Sequence, residues 1–468
     1  MVLVFGVVMA RWCDSVPRGR VRRVAPLAGL TARTVCGHFA AVLHESAGDS
    51  GAVARYDRVA ARRYVELLGR SRGVLMKVGQ FLSMVDTGGW AGGVFRPYAE
   101  ALDCVYAAVP VMDGALIDKL LGADLGSGRR YFAEWDSQPL ASASIGQVHL
   151  AVLRDGRQVA VKVQYPGVAQ AIEDDLANAE LLTTFLRVIA AGMGVGVDVR
   201  EVAVAAAARI REEVDYRREA ASLAAFGELY RGHPFIRIPE VVSEASGAGV
   251  LTMTYLDGVD WVEAQNADQD LKNTWAEVIV RFIYSNRWLG GFLHADPHPS
   301  NYRFFPDGTV GFLDFGCVQA LSEAERSCWY GLIRAVVEGR EADVRDFVER
   351  AGFLAVDPTL SAEELYRWWV EIMSDIVAEP QPVTYTDRIR KRLLASLFDF
   401  RDARHPVARI SYPPVGIFTA RVQLGLVSIC AALNATLPIR AISADMDGLE
   451  EPLTQLGREH HRWIARRG

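Results

Sequence analysis

The stretch HADPHPSN, residues 294–301, sets His294, Asp296, His298 and Asn301 within eight positions. Two chemistries suit that set. His-x-Asp-x-His spacing can ligate zinc or iron. An Asp followed five residues later by an Asn can instead orient a phosphoryl acceptor and hold a magnesium ion. Asp314-Phe315-Gly316 follows eighteen residues after Asp296 and supplies a further hard carboxylate. Upstream, Lys162 lies in QVAVKVQY, where Val159, Val161 and Val163 share one strand face and leave the lysine on the other, beside Ala160. Alone, Lys162 reads as a surface lysine on an edge strand.

These residues need elements to position them. From Tyr131 the sequence predicts short strands: HLAVL, the turn Asp155-Gly156, then QVAVKVQY, a hairpin. The small-residue stretch PLASASIGQVH (139–149) before it reads as a loop whose backbone N–H groups could approach a phosphate. Helices are predicted at about 167–191, 200–230 and 270–290, with the glycine-rich 192–198 as a loop. On the second of these, Asp215 and Glu219 are four apart and share a face, while Glu213 points elsewhere; otherwise this is a solvated charged face balanced by arginines. After HADPHPSN come YRFF, the turn PDG and TVGFLDFG, a second hairpin. Residues 26–84 and about 97–122 read as mostly helical, separated by the break at Gly88–Gly93, and 321–468 as helices with no internal repeat.

Size and charge narrow the class. The chain has 468 residues, more than one core usually organises, and a net charge of -6, which points to no nucleic-acid partner. The six cysteines are scattered without a CxxC pair, as expected of reduced thiols in a cytoplasmic protein. MVLVFGVVMA is too short to span a bilayer and lacks the basic flank of a signal peptide. Residues 1–44 carry six arginines against one acid, Asp14, a basic arm that is either solvated or drawn peripherally to an anionic membrane. The most apolar segment, 413–439, is interrupted by Arg421 and Asn434 and fits a buried helix better than a membrane span.

Taken together, strand, small-residue stretch, strand, AVK, HxD-five-N and DFG follow the order of a kinase site, and a metal cage at His294, Asp296 and His298 would leave the hairpin and DFG unexplained. No long activation segment or APE follows DFG, and no GxGxxG precedes the lysine. With LMKVGQFLSM (75–84), PLASASIGQVHLA, VAVKVQYPGV, EEVDYRREA, FLHADPHPSN and FLDFG, residues 65–320 resemble the UbiB/AarF family of atypical kinase-like proteins, linked to ubiquinone biosynthesis.

The resemblance implies an α+β, two-lobed protein-kinase-like fold. A helical extension (1–125) would carry the KxGQ motif, a small β-rich lobe would span 126–258 and a helical lobe 259–468. It also implies ATP and magnesium as cofactors and a lipid or quinone-precursor ligand. Lys77 would sit near Glu213 and Asp215, and Lys162 would pair with Glu219. Ala141, Ser142, Ala143, Ser144, Ile145 and Gly146 would replace the glycine-rich loop at the nucleotide. Asp296 would be the catalytic aspartate, with Asn301 and Asp314 on magnesium. Ser300 stands where the family commonly has Gly, and 85–97 diverges. The alternatives are a small-molecule phosphotransferase of the aminoglycoside or choline kinase type, and a nucleotide-binding scaffold with little turnover.

Overall fold

The computed structural model describes Tyr56 and residues 111–467, except 127, 144, 177–210, 212–213, 356, 379, 399–401, 403 and 412. Lys77 with the rest of the KxGQ segment, the basic arm, the 192–198 loop, Ser144 and Glu213 lie outside the described residues. The chain divides into two compact units. Among the described residues, Tyr56, 111–176, 211, 214–220 and 241–255 belong to the first, and 221–240 and 256–467 to the second.

The first unit is built on a four-stranded antiparallel sheet of order β1-β2-β3-β5, with β1 Phe132–Ala143, β2 Gly146–Leu153, β3 Gln158–Gln164 and β5 Val250–Thr254. Val159, Val161 and Val163 are fully buried, as their alternation requires. β3 is an interior strand, with Lys162 opposite Val148 on one side and Leu251 on the other. Lys162 is thus not the edge-strand surface lysine it would be if read alone, because β5, distant in sequence, covers that edge.

The small-residue stretch is not a loop either. Ala141, Ser142 and Ala143 pair with Val148, Gln147 and Gly146, so only a two-residue turn separates the strands. Gly146 is required by close packing: a Cβ there would lie 2.9 Å from the carbonyl carbon of Val163 on the neighbouring strand. Helix α1 (Gly114–Leu125), capped by Asp113, fixes the turn that leads into β5, since the Asp124 carboxylate accepts the N–H groups of Ala248 and Gly249 at 3.1 and 2.9 Å. Helix α2 (Val168–Leu176) follows β3.

Helix α3 runs Tyr216–Leu229. Asp215 lies before it rather than on it, and its carboxylate accepts the N–H of Arg217 at 3.0 Å. The expected Asp215–Glu219 helical face is thus not formed; an Asp beside free N–H groups at a helix start caps it instead.

The second unit is centred on α4 (Gln269–Leu289), whose Trp275, Val278, Ile279, Phe282 and Ile283 are buried. A hairpin of β7 (Tyr302–Phe304) and β8 (Val310–Phe312) closes at Pro306-Asp307-Gly308, as predicted, where Gly308 takes φ +83°, and β4 (Ile236–Arg237) pairs parallel to β8. Strand β6 (Phe292–His294) pairs with β9 (Val318–Ala320). Helix α5 (Glu323–Val337) starts on a Ser322/Glu325 capping box. Then come α6 (Glu341–Arg350), α7 (Ala362–Ile372), α8 (Asp387–Phe398), α9 (Pro414–Ala432), α10 (Ile439–Met446) and α11 (Gln455–Ala465). Helix α9 is the apolar segment read as buried, with Leu424, Leu426, Val427 and Ile429 in the core. Among the described residues no helix is long and apolar enough to cross a membrane.

Candidate active site

In the first unit, β3 and the first turn of α3 bring Lys162 and Glu219 together: Nζ donates to Oε1 at 2.5 Å, with the side chains only 9% and 7% exposed. A cation desolvated to that degree is stable only beside a charge that satisfies it. Lys162 also lies 5.8 Å from the centre of the Tyr216 ring. The end of β3 is tied toward the start of α3, because Gln164 Nε2 donates to the Val214 carbonyl at 2.5 Å. At the hairpin tip Ala141 and Ser142 are exposed and Ala143 half-buried, on a strand that is the outer one of the four. Ile145, by contrast, is buried and gives its carbonyl to the Tyr165 N–H at 2.9 Å, which makes it part of the sheet.

In the second unit, the β6 end, a single 3-10 turn (Pro299–Asn301) and β7 shape the loop that carries Asp296. Asn301 Nδ2 donates at 3.1 Å to both the Asp296 backbone carbonyl and its Oδ2. The other carboxylate oxygen, Oδ1, is held by Arg421 Nη2 from α9. Burial works against the Arg421 charge, yet the field of Asp296, helped by Cys317 and Asp314, holds its pKa above the ordinary arginine value.

His294 is buried, and its Nε2 lies 2.6 Å from the Asp314 carbonyl, so it ties the HADPHPSN loop to DFG. Burial pushes its pKa down, against the raising effect of that hydrogen bond and of nearby Asp296 and Asp314; the ring is neutral and donates from Nε2. His298 Nδ1 caps the 3-10 turn and lies 2.6 Å from Ser300 Oγ. The two histidines are thus engaged in shaping the loop, and among the described residues no group of three or more His, Cys, Asp or Glu could hold a metal. Phe315 is buried, its ring 4.8 Å from Phe226 and 5.4 Å from His294, which anchors DFG. The Asp314 carboxylate accepts the Gly316 N–H at 2.9 Å.

Asn301 turns its amide nitrogen toward Asp296, and its Oδ1 accepts a long hydrogen bond of 3.4 Å from Ser300 Oγ. With the Asp314 carboxylate this makes two hard oxygen donors in one unit, the kind magnesium takes when phosphates and water complete its shell. The residue that motif reading missed is Arg421. Its only sequence signal is a cation inside an otherwise apolar run, a position that requires a charged partner without naming it.

The ABC1 atypical kinase-like domain matches residues 104–348. A Caenorhabditis elegans protein named atypical kinase coq-8, mitochondrial, is 30% identical over 81% of this chain, which spans 49% of that relative's length. The Rattus norvegicus atypical kinase COQ8B, mitochondrial, is 28% identical over 92% of this chain and 81% of its own length. Among solved structures, the complex of Rv3197 with erythromycin from Mycobacterium tuberculosis is similar at 30% identity and a TM-score of 0.58, over 85% of this chain and 98% of that one. The α+β kinase-like fold follows from these matches together with the sheet and helices above, and the chain belongs to the ABC1 family of atypical kinase-like proteins, the UbiB/AarF group its motifs resemble.

Proposed function

We propose that this chain binds ATP with magnesium and acts as an atypical kinase or ATPase in lipid or isoprenoid-quinone metabolism, not as a conventional protein kinase. The observation that carries the reading is the Lys162–Glu219 pair, a lysine withdrawn from water on an interior strand and held by a helix carboxylate, the arrangement that kinases use to position α/β-phosphates. Residues 126–258 act as the nucleotide lobe and 259–468 as the helical lobe, with 1–125 an extension that carries the KxGQ motif and Lys77. Of the stretch Ala141 to Gly146, the exposed Ala141 and Ser142 at the hairpin tip approach the phosphates. Asn301 and Asp314 hold magnesium, which neutralises phosphate charge when bound. Asp296 orients the acceptor hydroxyl or water.

A protein acceptor is disfavoured by how soon α5 begins, at Glu323, only a short strand beyond Gly316. A protein kinase uses a longer segment there as its peptide platform. The basic N-terminal segment supports a cytoplasmic protein that meets membranes peripherally and takes a lipid or quinone precursor. A second reading, a small-molecule phosphotransferase, is favoured by the erythromycin in the Rv3197 complex, a hydroxyl-bearing ligand on a 30% identical relative.

Phosphate release from MgATP by the purified chain, alone and with anionic liposomes, a quinone-like phenol or erythromycin, tests both. Turnover that rises with liposomes or the phenol supports the first reading, and phosphorylated erythromycin the second. Absence of turnover under every condition contradicts both and leaves a nucleotide-binding scaffold.

A further inference from the structure

Arg421 stands on α9, seventy-three residues beyond the end of the segment matched by the family domain at 348, yet its guanidinium meets the aspartate of the HxD motif. We infer that Arg421 is a positioning residue for Asp296, acting with Asn301 to clamp the carboxylate from both sides; the inference rests on the kinase reading of Asp296.

Three observations carry it. The two oxygens of Asp296 are divided between two donors, Oδ1 to Arg421 and Oδ2 to Asn301, so rotation of the carboxylate breaks one hydrogen bond or the other. Such charge-assisted bonds are among the strongest a carboxylate makes, and here Arg421 reaches Oδ1 through Nη2. Second, the helix that brings Arg421 is pressed onto the same loop. Gly425, one turn further along α9, faces Pro297, and a Cβ at that position would lie 3.0 Å from the Pro297 carbonyl oxygen and 3.1 Å from its Cβ. Only glycine lets the helix backbone approach so closely. That contact sets Arg421, four residues earlier on the same face, against Asp296, which directly precedes Pro297.

Third, Arg421 is committed to this place. Its side chain is 21% exposed, its Nε is buried without a hydrogen-bond partner, and the carboxylates that favour its charge are Asp296 and Asp314, on the HxD and DFG segments. An arginine serving only as solvated charge would not leave a buried donor unsatisfied. The arrangement accounts for a cation in the middle of an apolar helix: the carboxylate must keep one direction while it receives an acceptor, and a neutral loop of this length could not hold it.

The test uses the full chain in four forms: wild type, Arg421→Met, Asp296→Asn and the double variant, with Arg421→Lys as the conservative control. MgATP turnover and melting temperature are measured on each. Arg421→Met is expected to lower kcat by roughly 10- to 100-fold, the scale of a misdirected catalytic group, while KM for MgATP stays within about twofold because neither residue binds the nucleotide in this reading. Arg421→Lys, which keeps the charge but not the fork, is expected to recover part of the loss. In the Asp296→Asn background, removing Arg421 should cost nothing further, since the clamped carboxylate is gone.

A kcat unchanged or raised in Arg421→Met, or an equal loss with and without Asp296, overturns the inference; the equal loss is what a purely structural arginine gives. If Arg421→Met does not fold, Arg421→Lys carries the same comparison. A wild type that binds MgATP but releases no phosphate contradicts the functional reading alone. The melting temperatures then decide the clamp: non-additive values support it, and values that simply add refute it.

Discussion

Lys162 and Glu219 show how much a single contact can carry at the scale of residues. Both side chains are nearly out of water, and each stabilises the charge of the other. Lys162→Met should leave Glu219 buried without the lysine charge and lower stability by about 3–5 kcal/mol, measured by chemical denaturation. Adding Glu219→Leu should return most of that stability, because two apolar side chains replace an ion pair at little cost, while nucleotide binding stays lost in both variants. A single variant as stable as wild type would mean that the pair is not buried in solution. Lys162, Asp296, Asn301 and Asp314 were legible in the sequence because each sits in a short motif whose spacing is set locally by a strand, turn or loop. Arg421 was not, since its partner lies 125 positions away and only the packing of α9 brings them together.

Among elements, the helices of the second unit are joined by a charged core that no periodicity reveals. Arg281 on α4 is fully buried and binds Asp445 of α10 through both Nη atoms at 2.8 Å, and Glu277 through Nε at 2.8 Å. Beside it His233 and His460, the latter on α11, meet at 2.9 Å between Nε2 and Nδ1. Burial, the neighbouring histidine and the Arg281 cation push His233 down to about 2; burial, Arg281 and His461 push His460 to about 3. Both values are depressed in the folded state, so the unfolded chain takes up protons first. Stability is fully present above the unfolded histidine value near 6.5 and falls as pH drops below it, by roughly 1.4 kcal/mol per pH unit for each histidine until the folded values are reached. Melting temperature followed from pH 7 to pH 5 should fall steeply, and His460→Gln should flatten the slope; an unchanged slope would contradict the assignment. Hairpins, α4 and the buried nature of α9 could be read from alternation, turn residues and apolar periodicity. The true setting of β3 and the capping role of Asp215 could not, because the first depends on a distant strand and the second on where a helix chooses to begin.

For the whole molecule, the order of motifs along the chain was the most legible property, since it survives without knowledge of any contact, and it led to the family in which the chain belongs. The described residues supply a lysine–carboxylate pair in one compact unit and an Asp–Asn loop with DFG in the other. In the function proposed, each serves magnesium-bound ATP. Calorimetric titration of ATP into the wild-type chain and Asp314→Asn, each with magnesium and with EDTA, tests it most directly. The wild type should bind with magnesium and lose that affinity in EDTA, and Asp314→Asn should bind at least about tenfold more weakly in magnesium. Equal binding by the two proteins, or wild-type binding indifferent to EDTA, would contradict it.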